Sequence, residues 1–153
     1  MNYKNIYSKF SIVGYYTNVL VVDVYDGDTI TILLNPFPDS VRSRTYYFKV
    51  RLLGIDSEEI KQPKNEPNRE ELKKLATESR DYLSSIILNN FVNVDIESTD
   101  NFGRLLAHVY IRKNNIVGSH EYDEINYEYD DKHDDIYINI NKLMIDGGYA
   151  KKY

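Results

Sequence analysis

The chain has no cysteine and no tryptophan. Without cysteine there is no disulfide, no thiolate nucleophile and no zinc-thiolate centre, although this absence does not distinguish the cytosol from the exterior. Histidine is scarce: His108, His120 and His133 are the only ones. His108 lies within an apolar strand-like run and is read as structural, and the other two as solvated. A continuous apolar run is also missing. The stretch from Ser11 to Val22 that follows the basic N-terminal residues is interrupted by Gly14, Tyr15, Tyr16, Thr17 and Asn18. The expectation is therefore a soluble intracellular monomer, without a cleaved signal or a membrane span.

What is present fits one domain over residues 1–153, because 153 residues with 42% hydrophobic side chains suffice for one core. Residues 1–10 read as a loose arm. The net charge of −5 argues at first against a polyanionic partner. That charge is local, however. Residues 119–135 carry eight acids against Lys132, contribute −7 and leave the rest of the chain at +2. This acidic segment reads as a solvated insertion without structure of its own; its alternative is a nucleic-acid mimic that weakens attraction to phosphate chains.

Hydrophobic periodicity predicts the elements. Asn18 to Tyr25 is β-branched and apolar, and Asp26-Gly27 suits a tight hairpin into the alternating run Thr29 to Ile32. Asn35 to Arg44 reads as a loop, and Tyr46 to Leu53 alternates again, with Phe48, Val50 and Leu52 on the apolar side. Asn68 is placed to cap a helix, with Glu71 completing a capping box. That helix carries Leu72, Leu75, Ala76, Ser79, Tyr82, Leu83, Ile86 and Ile87 on one face. Phe91 to Glu97 and Leu105 to Ile111 are two further strands, and Phe48 and Phe91 are assigned to the core. A short strand to Ile138 then leads into a helix capped by Asn139 or Asn141 and ended by Gly147-Gly148. Five strands interrupted by one helix after the third predict an α+β, mainly β fold: a five-stranded barrel of OB type with a short C-terminal helix.

Charged groups concentrate in three turns: Asp26-Gly27-Asp28-Thr29, Arg51 to Glu59 (Arg-Leu-Leu-Gly-Ile-Asp-Ser-Glu-Glu) and Asp100-Asn101-Phe102-Gly103-Arg104. Carboxylates without cysteine point to a hard cation held by oxygen, such as Ca2+, Mg2+ or Mn2+. Asp28 and Asp56 are the candidate ligands, with the main-chain carbonyl of Ser57 as a third. Two guanidiniums, Arg51 and Arg104, suit the charge that develops when a phosphodiester is hydrolysed. Glu59 suits a base acting on water. Taken singly, each feature has a plainer reading: Asp-Gly as a hairpin turn, Asp56-Ser57 as a cap, either arginine as a structural ion pair, Glu59 as part of a solvated loop.

In their order, the three motifs resemble the staphylococcal nuclease family over roughly Val21 to Lys151. The resemblance implies a calcium-dependent nuclease that cleaves DNA and RNA to 3′-phosphate and 5′-hydroxyl ends. Asp28, Asp56 and the Ser57 carbonyl are then the metal site, Glu59 acts on the attacking water, Arg51 and Arg104 bind the scissile phosphate, and Asp26 is an auxiliary acid. Some positions depart from the family pattern. Ser57 stands for threonine and Glu58 for proline, which leaves the loop before Glu59 less rigid. Asn101 and Phe102 stand for a lysine and tyrosine that contact a terminal phosphate, so that contact is expected to be weaker here. The tyrosine pair and third helix of longer members lie beyond the last residue, Tyr153. The alternative function is a noncatalytic module of the same fold that binds nucleic acid or protein, or an interaction protein recruiting basic partners through its acidic segment.

Overall fold

The computed structural model describes residues 2–41, 43–116, 127–130 and 135–153. Its elements run β1 (Gly14–Asp26), β2 (Thr29–Leu34), β3 (Tyr46–Leu52), β4 (Ile55–Asp56), α1 (Arg69–Ile87), β5 (Phe91–Thr99), β6 (Leu105–Arg112), β7 (Tyr127–Asp130), β8 (Asp135–Asn139), α2 (Ile140–Asp146) and β9 (Lys151–Lys152). Strands β3-β2-β1-β5-β6 pair antiparallel in that order. A parallel pairing of β3 with β6, Val50 opposite Leu105 and Leu52 opposite Ala107, closes them into a barrel. The fold is the mainly β barrel of OB type that the pattern predicts, with α1 after the third strand and α2 near the end. Closure pairs the two strands, β3 and β6, that an open five-stranded sheet would leave as edges, and β8 continues the sheet from β6 with β7 beyond it.

Alternation decides the interior. Ile30, Ile32 and Leu34 of β2 and Val50 and Leu52 of β3 point inward to meet Val92, Val94 and Ile96 of β5. Each such side chain contributes about 1.5–3 kcal/mol when fully buried. Helix α1 closes the barrel with Leu83, Ile86 and Ile87, and α2 adds Leu143 and Met144. Strand β1 reaches both β2 and β5 because register shifts bend it, one of them beside Asn18, whose φ is +54°. Such bulges add twist and let one strand serve two neighbours. The strand starts at Gly14, four residues before the apolar run that announces it.

Several local expectations change. Phe91 is 53% exposed rather than buried. It opens β5, where Val92 takes the inward place and turns the ring outward. Leu75 is likewise exposed on α1. Asn68 precedes α1 without a side-chain cap, because its φ of −103° and ψ of 27° depart from the extended backbone that aims a capping oxygen. The other end of α1 is satisfied by a residue outside it: Asn90 Nδ2 donates to the Ile86 carbonyl. Asn139 caps α2, its side chain accepting from Lys142 N–H. The acidic segment is not wholly without structure, since Tyr127–Asp130 pairs antiparallel with β8; residues 119–126 and 131–134, with His120 and His133, lie outside the described residues.

Candidate active site

The hairpin joining β1 to β2 and the turn joining β3 to β4 meet at one end of the barrel. Register places Thr29 opposite Arg51, and the Leu52 N–H donates to the Asp28 carbonyl at 2.8 Å. Two turns, at residues 27–28 and 53–54, are thus held side by side by main-chain bonds although they lie 25 positions apart in sequence. Gly27 makes the approach possible. A β-carbon there would stand 2.7 Å from Ser79 Cβ and 2.8 Å from Ser57 Cβ, inside van der Waals contact.

Asp28 is the buried hub. Its Oδ2 accepts from the Ser57 N–H at 2.7 Å and lies 3.1 Å from Arg51 Nη1, while its Oδ1 accepts from Thr29 Oγ1 at 2.9 Å. Arg51 extends from Asp28 to Asp56: Nη2 donates to Asp56 Oδ1 at 2.9 Å, and Nη1 also donates to the Ile55 carbonyl at 2.9 Å. The guanidinium is mostly buried, and of its two carboxylate partners Asp56 is the solvent-facing one. Asp26 is buried beside Asp28. Burial, then the charge of Asp28 and a side-chain hydrogen bond with it, push the Asp26 carboxyl up to about 7. An acid that holds its proton to that pH can share a hydrogen with its neighbour where two carboxylates would repel.

Ser57 is buried, and its Oγ has no partner among the described residues. It borders a cavity of about 160 Å³, also lined by Glu58, Glu78, Tyr149 and Lys151, roomy enough and polar enough for water. The floor of this region is tied down by Ser79 Oγ, which donates to the Tyr149 carbonyl at 2.7 Å. Strand β9 lies antiparallel to β4 with Asp56 opposite Lys151, and the Lys151 ammonium is 3.9 Å from Glu58. Where the resembled family has proline, this chain therefore carries an acid next to a strand-anchored cation. Glu59, next in sequence, is exposed, and its carbonyl accepts from Gln62 Nε2 at 2.8 Å.

Arg104 enters by a separate, local construction. Asp100 Oδ1 accepts from the Phe102 and Arg104 N–H groups, both at 2.9 Å, and Asp100 Oδ2 from Arg104 Nε at 2.7 Å. Gly103 supplies the left-handed residue of the turn, φ +79°. Desolvation pushes the Asp100 carboxyl upward, but the Arg104 side chain, the two N–H groups and the guanidinium charge together hold it below the ordinary range. Arg104 directly precedes Leu105, which pairs with Val50 beside Arg51, so the strand that follows Arg104 is the neighbour of the strand carrying Arg51. Asn101 and Phe102 are exposed at the tip of the turn, with the Arg104 guanidinium 5.9 Å from the Phe102 ring centroid.

Of the predicted set, Asp26, Asp28, Arg51, Asp56 and Ser57 form one contact network, Arg104 stands in the turn that leads into the adjoining strand β6, outside that network, and Glu59 follows on the same loop as Ser57. Sequence reasoning missed Ser79 and Tyr149, which support the loop, and Asn141. Buried Asn141 accepts from Val109 N–H and donates to the Leu53 and Ala107 carbonyls, fastening α2 to the barrel end below the site. An asparagine two residues after a capping asparagine looks like an alternative cap, so only its burial reveals the role. His108 faces Glu97 at 3.4 Å, away from this network. No described helix is long and apolar enough to cross a membrane.

Residues 49–153 match the family described as staphylococcal nuclease homologue, and this span, more than half of the chain, makes the protein a member of that family. The match begins after Asp26 and Asp28, which the hairpin register brings to the matched part. No curated protein matches the chain.

Proposed function

We propose that the protein is a metal-dependent phosphodiester hydrolase, an endonuclease acting on DNA and RNA with little sequence specificity. The observation that carries this reading is the convergence of Asp28 and Asp56 on one positive charge, the Arg51 guanidinium, at the end of the barrel. Two carboxylates already gathered around a cation, in a donor set of oxygens, fit a hard divalent ion. Among the described residues no cluster of three acidic, histidine or cysteine side chains is arranged for a metal. In this reading Asp28, Asp56 and the Ser57 carbonyl would hold calcium, with Mg2+ or Mn2+ as alternatives. A bound cation of this kind acidifies its water and offsets phosphoryl charge.

The chain's own groups do the rest. Exposed Glu59 takes the proton of the attacking water as the water oxygen bonds to phosphorus and the bond from phosphorus to the 5′-oxygen breaks, the leaving 5′-oxygen taking a proton from solvent. Arg51 exchanges its bond to solvent-facing Asp56 for a non-bridging phosphoryl oxygen, and Arg104 grips a second oxygen from the turn before β6. A fixed guanidinium pair stabilises the transition state more than the ground state, because charge on these oxygens grows during attack. Asp26, buried beside Asp28, is the auxiliary acid of the site.

Plasmid and RNA cleavage with calcium and with EDTA tests the proposal against Glu59→Gln and Arg104→Ala. Each substitution is expected to lower the rate by at least about 10²-fold, the scale of removing one transition-state contact. Cleavage that persists unchanged in Glu59→Gln rejects the assigned base. A second reading, a noncatalytic nucleic-acid-binding module, is favoured by the engagement of Arg51 with two carboxylates and two carbonyls. Its signature is binding of DNA that EDTA leaves intact, with no cleavage in calcium.

A further inference from the structure

The outer surface of β1, β2 and β3 carries side chains that the hydrolytic chemistry does not use. From Ser43 to Arg51 the chain holds Arg44, Lys49 and Arg51, the aromatics Tyr46, Tyr47 and Phe48, and no acid, although the whole chain is net acidic. Alternation along β3 puts Tyr47, Lys49 and Arg51 on one side, opposite to core-facing Val50 and Leu52. Tyr47 is 73% exposed, and Tyr25 of β1 is 44% exposed. The Lys49 ammonium lies 5.9 Å from the Tyr25 ring centroid, which shows that β1 and β3 present these groups to the same side of the sheet. Register sets them in rows: Tyr47 with Leu33 and Leu20, then Lys49 with Thr31 and Asp23, then Arg51 with Thr29 and Asp26. The rows lead from exposed aromatic surface directly to the Arg51 end of β3. Asp23 is the acid that β1 exposes here, so the surface is not a uniformly basic patch that would hold any polyanion.

We propose that this face is a track for single-stranded nucleic acid, with bases stacking on Tyr47 and Tyr25 and a phosphate on Lys49, feeding the strand toward Arg51. The chemistry favours an unpaired strand. Tyr47 and Tyr25 expose ring surface to solvent, and stacking on it requires free base faces, which a duplex hides. Interleaved aromatics and cations are what sequence-tolerant single-strand binding requires. The track deepens the nuclease reading and rests on it for its direction, but its binding is separable from cleavage.

The test measures fluorescence anisotropy of a labelled oligothymidylate with the full-length protein in EDTA, where cleavage is suppressed. Tyr47→Ala and Tyr25→Ala are each expected to weaken binding by about 10-fold, the scale of one lost stacking contact, while Tyr47→Phe keeps near wild-type affinity. Lys49→Gln is expected to reduce the slope of log affinity against log salt by about 0.7, one phosphate on a single strand. Unchanged affinity in the two alanine variants, equal loss in Tyr47→Phe and Tyr47→Ala, or tighter binding of a duplex of the same length would each overturn the track. Near-wild-type thermal midpoints in all variants, expected for exposed side chains, show that the losses are local. The two proposals fail differently. Stacking-dependent binding without calcium-dependent cleavage refutes the nuclease and keeps the track, whereas cleavage with binding indifferent to these substitutions does the reverse.

Discussion

The turn at Asp100–Arg104 and the network around Asp28 each join a carboxylate to a guanidinium, yet they are built in opposite ways. The first is local: one aspartate accepts from the side chain and main chain of residues two to four positions away, and its groups remain partly in water. The second joins residues from 26 to 57 across two turns and is largely buried. A local turn keeps its geometry from short-range bonds, whereas the buried network holds its charges only while the barrel holds them together. The difference predicts where stability and where chemistry are sensitive.

Removing the Arg51 guanidinium tests the buried side most severely. Arg51→Ala leaves Asp28 without its counter-charge at a nearly inaccessible position and is expected to cost about 3–5 kcal/mol, read as a lowered urea midpoint. Asp26→Asn probes the same network through pH. The Asp26 carboxyl titrates near 7 in the folded chain against 3.8 for the ordinary group, so the folded state binds the extra proton. The stability it contributes is complete below about pH 4 and is lost as pH rises through 7. In chelator, wild type is therefore expected to lose about 3 kcal/mol between pH 4 and 8 relative to Asp26→Asn. Parallel stability curves for the two proteins would contradict the protonated pair.

Gly27→Ala addresses packing rather than charge. The added methyl meets the β-carbons of Ser57 and Ser79, neither of which is the far end of a flexible chain, and the expected loss is about 2 kcal/mol. Pairing it with Ser79→Gly should recover part of that loss; no recovery would mean that the clash lies elsewhere. The smallest effect on stability belongs to the local turn. Arg104→Ala should cost under about 1 kcal/mol, as exposed ion pairs do, although the same substitution is expected to abolish most cleavage. A large fall in thermal midpoint for Arg104→Ala would erase the contrast between the two regions.

Legibility in the sequence follows the same division. The Asp-Gly hairpin, the turn ending in Arg104, the face of α1 and the cap at Asn139 depend on neighbours a few residues away, and their periods and turn residues are visible as text. Strand count and the position of the long helix were enough for the barrel. The proposed capping box at Asn68 and Glu71 failed because residue types permit a cap that the local backbone does not adopt. Phe91 failed because an aromatic at the start of a strand can face either way until its neighbour Val92 claims the interior.

The amino-acid order alone determined the elements, their alternation and the three charged turns, because helical and strand periods and turn chemistry act over a few residues. Only the tertiary structure decided that Asp28 and Asp56 share Arg51, that Gly27 must stay bare beneath Ser57 and Ser79, and that Tyr25 and Lys49 share one face. Those relations arise from barrel closure and strand register, which bring together groups that nothing in their immediate sequence connects.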